Sequence, residues 1–175
     1  RQRQMCIRDR LSFVGCYSFS MAQTPRERAR EQTMTRIIEL GRQQLASGGV
    51  EALNLRAIAR ELGIVPSGIY RYVPDRACLI TLLIVDAFDS LDGAVARHDD
   101  PSVQPRERFI GLVGAMRQWA LEFSQRWGLI YGTPIVGYQA PTTETIAAGT
   151  KVSRRLASLL EQSTVCLLYT SPSPR

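Results

Sequence analysis

The chain has 175 residues, 45% of them hydrophobic, with 22 Lys and Arg against 16 Asp and Glu for a formal charge of +6. Four cysteines and one histidine are too few and too scattered for a disulfide scaffold or a histidine-rich metal site. The basic excess suits an acidic partner such as nucleic acid, provided that it belongs to the folded body.

Both ends stand apart from that body. Met5, Cys6, Ile7, Arg8, Asp9 and Arg10 can be encoded by a DNA string whose reverse complement reads as Val165 to Ser171. One inverted repeat at both ends looks like a sequencing-library adaptor, and such scars are kept out of fold reasoning. Residues 1–20 and 165–175 are therefore expected to be artefact or upstream sequence, with Met21 as the start and a natural frame running past Thr164. The ends carry Arg1, Arg3, Arg8, Arg10 and Arg175 minus Asp9, or +4, which leaves +6 − 4 = +2 for the body. Cys78 is then the one cysteine left, which excludes a disulfide framework and a thiolate metal site within one chain. Residues 11–20 are apolar but too short to span a bilayer, so a cytoplasmic protein without a membrane segment is expected.

Residues 21–30 are polar, with Arg26, Arg28 and Arg30 and no apolar stripe. They read as a flexible arm, either lying along phosphate or simply frayed. From Met34 the pattern turns helical: Met34, Ile37, Ile38, Gly41 and Leu45 line one face, and Gly48 and Gly49 stop it. Residues 54–72, N-L-R-A-I-A-R-E-L-G-I-V-P-S-G-I-Y-R-Y, then form a unit. Leu55, Ile58, Ala59 and Leu62 give a short helix one apolar face. Asn54 caps it, Gly63 ends it as a left-handed turn residue, and Pro66 opens a second helix plugged by Ile69. This is a helix-turn-helix spanning residues 31–76, whose second helix can enter a DNA major groove.

The run L-R-A-I-A-R-E-L-G-I-V-P-S-G-I-Y-R-Y-V-P-D-R resembles the DNA-binding domain of the tetracycline-repressor (TetR) family over roughly residues 30–88. Val65 departs from it, standing where a Ser or Thr N-cap is usual, and costs the second helix about 1 kcal/mol of capping. Ser67, Gly68, Tyr70 and Tyr72 are expected to face the groove, with Arg56 alongside and Asn54 and Arg76 on phosphate. Residues 26–76 carry nine Arg against six acids, or +3. Residues 77–100 carry Arg97 against Asp86, Asp89, Asp92, Asp99 and Asp100, or −4. The switch places the phosphate-facing surface on the first module.

Asp75 caps a fourth helix whose run from Leu79 to Val85 is apolar nearly all round, a buried connector between two domains. Cys78 reads as a small hydrophobe, and His98, with no second ligand near, as a cap or surface residue. After a linker at residues 99–102, Pro105 starts a long helix with Phe109, Leu112, Val113, Met116, Ala120 and Phe123 on one face and Trp119 on its flank. Met116, Trp119, Phe123, Trp127 and Tyr131 either line a small-molecule pocket or are ordinary core at helical spacing. The segment W-G-L-I-Y-G-T-P-I-V-G-Y-Q-A-P also resembles a ligand-domain stretch of one branch of the family. A last helix over residues 142–160 presents Val152, Leu156 and Leu159 as a seam for a dimer.

The expected architecture is all-α, with residues 31–76 binding DNA and residues 77–164 forming a regulatory domain. In the family, two C-terminal helices per subunit build a four-helix dimer interface, of which one is plainly present. No catalytic constellation, metal set or cofactor motif is found, and residues 132–137 lack the Gly-Lys-Ser/Thr ending of a phosphate loop. The resemblance implies a ligand-responsive repressor that binds palindromic operator DNA as a homodimer and is released by a small apolar effector. A structural helical protein, a truncated regulator without function and a small-molecule-modifying enzyme are the competing readings. The motif search disfavours the enzyme.

Overall fold

The computed structural model describes residues 24–162, and these form eight α-helices and one 3₁₀ turn, with no strand among the described residues. The expectations for residues 1–20 and 165–175 lie outside the described residues. The helices are α1 (Pro25–Gly48), α2 (Leu55–Glu61), α3 (Pro66–Ile69), α4 (Arg76–Ala96), α5 (Pro105–Glu122), α6 (Ser124–Tyr131), α7 (Thr142–Gly149) and α8 (Lys151–Gln162). The 3₁₀ turn, Val50–Ala52, links α1 to α2.

Helix α1 begins inside the stretch expected to be an arm. The cause is local: Thr24 accepts from the Glu27 N–H while the Glu27 carboxylate accepts from the Thr24 N–H, and Pro25 holds the first helical position. That reciprocal box satisfies two terminal donors and nucleates the helix without any apolar contact.

The buried side chains fall into two clusters. One gathers Ile37, Leu40 and Leu45 of α1, Leu55, Ile58 and Ala59 of α2, Ile69 and Val73, and Leu79, Ile80, Leu83 and Ile84 of α4. The other gathers Ala87, Leu91, Ala94 and Val95 of α4 with Leu112 and Trp119 of α5 and Val152 and Leu159 of α8. Helix α4 runs unbroken from one cluster to the other, packing on α1, α5, α6, α7 and α8. The packing boundary thus falls within α4, after Ile84, rather than at Ala77, because the first turns of α4 complete the N-terminal core. Gly41 permits that approach: a β-carbon there would lie 3.2 Å from Leu83 Cδ2.

The single last helix expected over residues 142–160 is two helices, broken at Thr150. Gly149 lies against the Phe88 ring, where a β-carbon would come within 3.2 Å of Cζ. The Thr150 hydroxyl donates back to the Ile146 carbonyl at 2.8 Å. The seam of α8 is also turned inward. Val152 and Leu159 are 3% and 1% exposed, and Leu156 packs on the same cluster. An apolar stripe that is buried against α4 and α5 is not available to a second subunit, so the expectation of a dimer surface on Val152, Leu156 and Leu159 is corrected.

Candidate nucleic-acid interface

Helix α2 is set by its first residue. The Asn54 side-chain oxygen accepts from the N–H groups of Arg56 and Ala57 at 3.0 and 3.1 Å. The Asn54 N–H donates to Gln44 Oε1 at 2.8 Å, so α1 holds the cap in place. Gln44 was invisible in the sequence, because nothing local links it to a residue ten positions on. Gly63 ends α2 at φ 68, and the Ile64 N–H donates to the Ala59 carbonyl at 3.0 Å, which folds the chain back toward α3. A residue with a β-carbon would be strained in that conformation.

Helix α3 is one turn long, and its N-cap Val65 makes no side-chain hydrogen bond. What fixes it is burial: Ile69 and Val73 are both 0% exposed and plug the first core from below. With those two side chains pointing in, Ser67 and Tyr70 point out. Ser67 and Arg56 are exposed, Gly68 is half-buried, and Tyr70 is 43% exposed. Arg60 and Arg71, which the residue-by-residue reading did not single out, are exposed on the same two elements. They follow from the signal that gave Arg56, a cation on the polar side of an amphipathic turn.

Two expected contacts are engaged elsewhere. The Arg76 guanidinium donates to the Val50 carbonyl at 2.8 Å and reaches Glu51 at 3.4 Å, tying α4 to the 3₁₀ turn. Tyr72 is half-buried against the first core, with the Arg30 guanidinium 5.4 Å from its ring centroid. The exposed set is therefore Arg56, Ser67, Gly68 and Tyr70, flanked by Arg60 and Arg71, while Arg76 and Tyr72 support it. Asn54 is exposed with its side-chain oxygen committed to the cap, leaving its amide N–H group for an outside acceptor.

The aromatic set of the second domain does not line one cavity. Trp119 is 4% exposed and donates from Nε1 to Ser90 Oγ at 3.2 Å, with the Phe123 ring 5.5 Å away. Trp127 pairs instead with Tyr131 at 4.5 Å, and Tyr131 stands edge-on to Phe88 at 5.9 Å. Met116 is half-buried on the second cluster. These residues are core at helical spacing. Burial pushes the Tyr131 phenol above its ordinary pKa. An open cleft of about 550 Å³ lies beside them, lined by Arg42, Gln43, Ala46, Glu122, Phe123, Ser124, Gln125 and Arg126. Phe123 is the one member of the expected set that borders it.

That cleft sits where the two domains meet, over an ionic hub. Asp86 of α4 accepts from Arg42 Nε of α1 at 2.8 Å and from Arg126 of α6 at 3.0 Å, with a further bond from the Arg42 terminal nitrogen. Arg126 also lies over the Trp119 and Phe123 rings, 5.3 and 5.2 Å from their centroids. Burial lowers the Arg126 guanidinium from its ordinary pKa, and the bond to Asp86 raises that of Arg42. His98, at the end of α4, places Nδ1 3.2 Å from the Ala94 carbonyl. No described helix is long and apolar enough to cross a membrane, and no described group of His, Cys, Asp and Glu could hold a metal ion.

Comparison with known proteins agrees with this geometry. Residues 37–80 match the family model described as bacterial regulatory proteins, tetR family. The chain is 46% identical over 129 residues to the HTH-type transcriptional regulators Rv1816 of Mycobacterium tuberculosis (strain ATCC 25618 / H37Rv) and Mb1846 of Mycobacterium bovis. That alignment takes in 73% of this chain and 55% of each relative, so the chain spans about half the length of the curated relatives it matches. The crystal structure of SCO4313 superposes with a TM-score of 0.69 at 35% identity, covering 79% of this chain and 66% of that one. The TetR family transcriptional regulator PfmR from Thermus thermophilus shares the fold at a TM-score of 0.59 and 17% identity, covering 79% of this chain and 75% of its own. With a capped α2, a glycine turn and a plugged one-turn α3 in the matched segment, the chain belongs to the TetR family of bacterial transcriptional regulators.

Proposed function

We propose that this chain is the DNA-reading and sensing part of a repressor that binds a palindromic operator as a homodimer and leaves it when a small apolar effector binds. One observation carries the reading. Ile69 and Val73 are fully buried, which forces Ser67, Gly68 and Tyr70 outward between the exposed cations Arg56, Arg60 and Arg71. A short outward turn with a hydroxyl, a close-approach glycine and a tyrosine suits base edges, and the flanking guanidinium groups suit phosphate. A single such module contacts few base pairs, so two on a two-fold axis, about 34–36 Å apart, are needed for useful specificity.

The coupling runs through α4, which is common to both cores. An effector that enters beside Phe123 and parts the Arg126 stack also disturbs Asp86, and through it Arg42 on α1. Binding then favours a tilt of α4 that changes the spacing of the two reading turns. The partners are thus duplex operator DNA, a second copy of the chain and one effector, in the cytoplasm. Two titrations test the reading. Replacing Tyr70 by Ala should weaken binding to a selected operator about tenfold or more without lowering the melting temperature, the size expected for one base-edge contact. An apolar effector should quench Trp119 and Trp127 fluorescence over the same concentration range that releases the DNA. Unchanged operator affinity for Tyr70→Ala removes α3 from the site, and quenching without release removes the coupling.

A further inference from the structure

The first turns of α1 stand clear of both cores. Every residue from Pro25 to Gln32 is exposed, and the helix first joins the N-terminal cluster at Met34. A segment that buries no apolar group is ordered by its own chemistry, here the Thr24–Glu27 box and Pro25. It is a rigid overhang rather than an arm.

The side chains of that overhang are not evenly distributed. Inside the core, α1 presents Met34, Ile37, Gly41 and Leu45 to its neighbours. Continued backward in helical steps of three or four residues, the same stripe reaches Arg30 and Arg26. The face that carries apolar groups where it is covered therefore carries cations where it is not. Arg28 lies on another side, bordering a shallow groove with Glu31, Gln32, Thr35 and Arg36. Arg30 also locates the stripe relative to the reading turn: its guanidinium lies over the Tyr72 ring, two residues beyond the exposed Tyr70. Along the helix, Arg26 follows about 6 Å further out, at four residues of about 1.5 Å rise. Two guanidinium groups at that spacing, beside a turn that faces a duplex, suit consecutive phosphates of one strand.

We propose that Arg26 and Arg30 form a second, helix-mounted phosphate grip that clamps the operator backbone next to the base pairs that α3 reads. The inference rests on the reading of α3 as the DNA-facing element. The grip adds affinity without sequence preference, and its value depends on the helix holding both cations in line.

The test is fluorescence anisotropy on one selected operator duplex and one scrambled duplex, at several salt concentrations. The Arg26→Gln/Arg30→Gln variant should flatten the slope of log affinity against log salt by about 1.8, at about 0.9 for each phosphate released. It should weaken both duplexes alike, while Arg28→Gln keeps the parent slope. Ala29→Pro, which breaks the overhang and keeps every charge, should lose a similar part of the slope with the core melting unchanged. Tyr70→Ala should instead lower the preference for the selected duplex and keep the slope. A double variant with the parent slope, beside a Tyr70→Ala variant that loses preference, overturns the grip and leaves the α3 reading standing. If neither variant differs from the parent, the α3 reading falls and the grip with it. A full slope in Ala29→Pro overturns the helix-mounted form of the grip, since flexible cations would then serve as well.

Discussion

Val65 is the position where one atom should improve the reading turn. It is the N-cap of α3 and 69% exposed, with φ −59 and ψ 140. Pro66 has no N–H, so the free donors of this one-turn helix begin at Ser67. The Gly68 N–H already bonds to the Val65 carbonyl at 2.7 Å, which leaves the Ser67 N–H as the group that lacks a cap. A serine hydroxyl at 65 can accept from it, for about 1 kcal/mol of helix stability. Little packing is lost, because Val65 is mostly in water and its Cγ2 merely approaches Gly68. Since Ile69 ties α3 into the N-terminal core, the gain should appear in global unfolding. For a chain of this size about 1 kcal/mol corresponds to about 2–4 °C in Tm. Thermal denaturation of Val65→Ser beside Val65→Ala separates the hydroxyl from the loss of valine. The serine variant should melt above the parent and the alanine variant at or slightly below it. A serine variant no more stable than the alanine variant would refute the argument that this terminus lacks a cap.

Other outcomes follow from the two ionic clusters. Replacing Asp86 by Asn removes the shared acceptor of Arg42 and Arg126; a fully buried pair would lose about 3–5 kcal/mol, but Arg42 is 43% exposed, so about 2 kcal/mol and about 4–8 °C in Tm are expected. The same variant should also blunt effector-driven release in the operator titration, since Asp86 joins α1, α4 and α6. Asp99 accepts from Arg108 and, at 2.6 Å, from Arg155 of α8, and these bonds hold its carboxyl below the ordinary value of 3.8. Its contribution is therefore complete above about that pH and fades as pH falls through the lower folded value. Asp99→Asn should melt below the parent at about pH 7, and the gap should narrow on acidification below pH 3.8; a gap independent of pH would point to packing rather than charge.

Local chemistry was the readable part of this chain. Asn54, Gly63, Pro66 and Asp75 act where they stand, so their roles as cap, turn, first helical residue and cap were legible without any tertiary contact. The start of α1 was legible too, in the Thr24-x-x-Glu27 spacing, but the search for an apolar period could not find it because the first turns bury no apolar group. The break at Thr150 is of another kind. The apolar spacing runs on through it, and what stops the helix is the Phe88 ring against Gly149. The inward seam of α8 follows the same logic: a stripe of Val152, Leu156 and Leu159 looks alike whether a second subunit or the chain's own α4 covers it. Arg76 likewise reads as a phosphate contact until the Val50 carbonyl is placed beside it.

Assembly and effector are both downstream of one claim, that α3 reads DNA sequence. Selection from a pool of random duplexes, using the parent chain and Tyr70→Ala side by side, tests it most directly. The parent should enrich a common half-site from the pool, and Tyr70→Ala, with the same melting temperature, should bind that site about tenfold or more weakly, in line with the loss of one base-edge contact. No enrichment by the parent at low salt, or equal binding of the enriched site by the alanine variant, would contradict it.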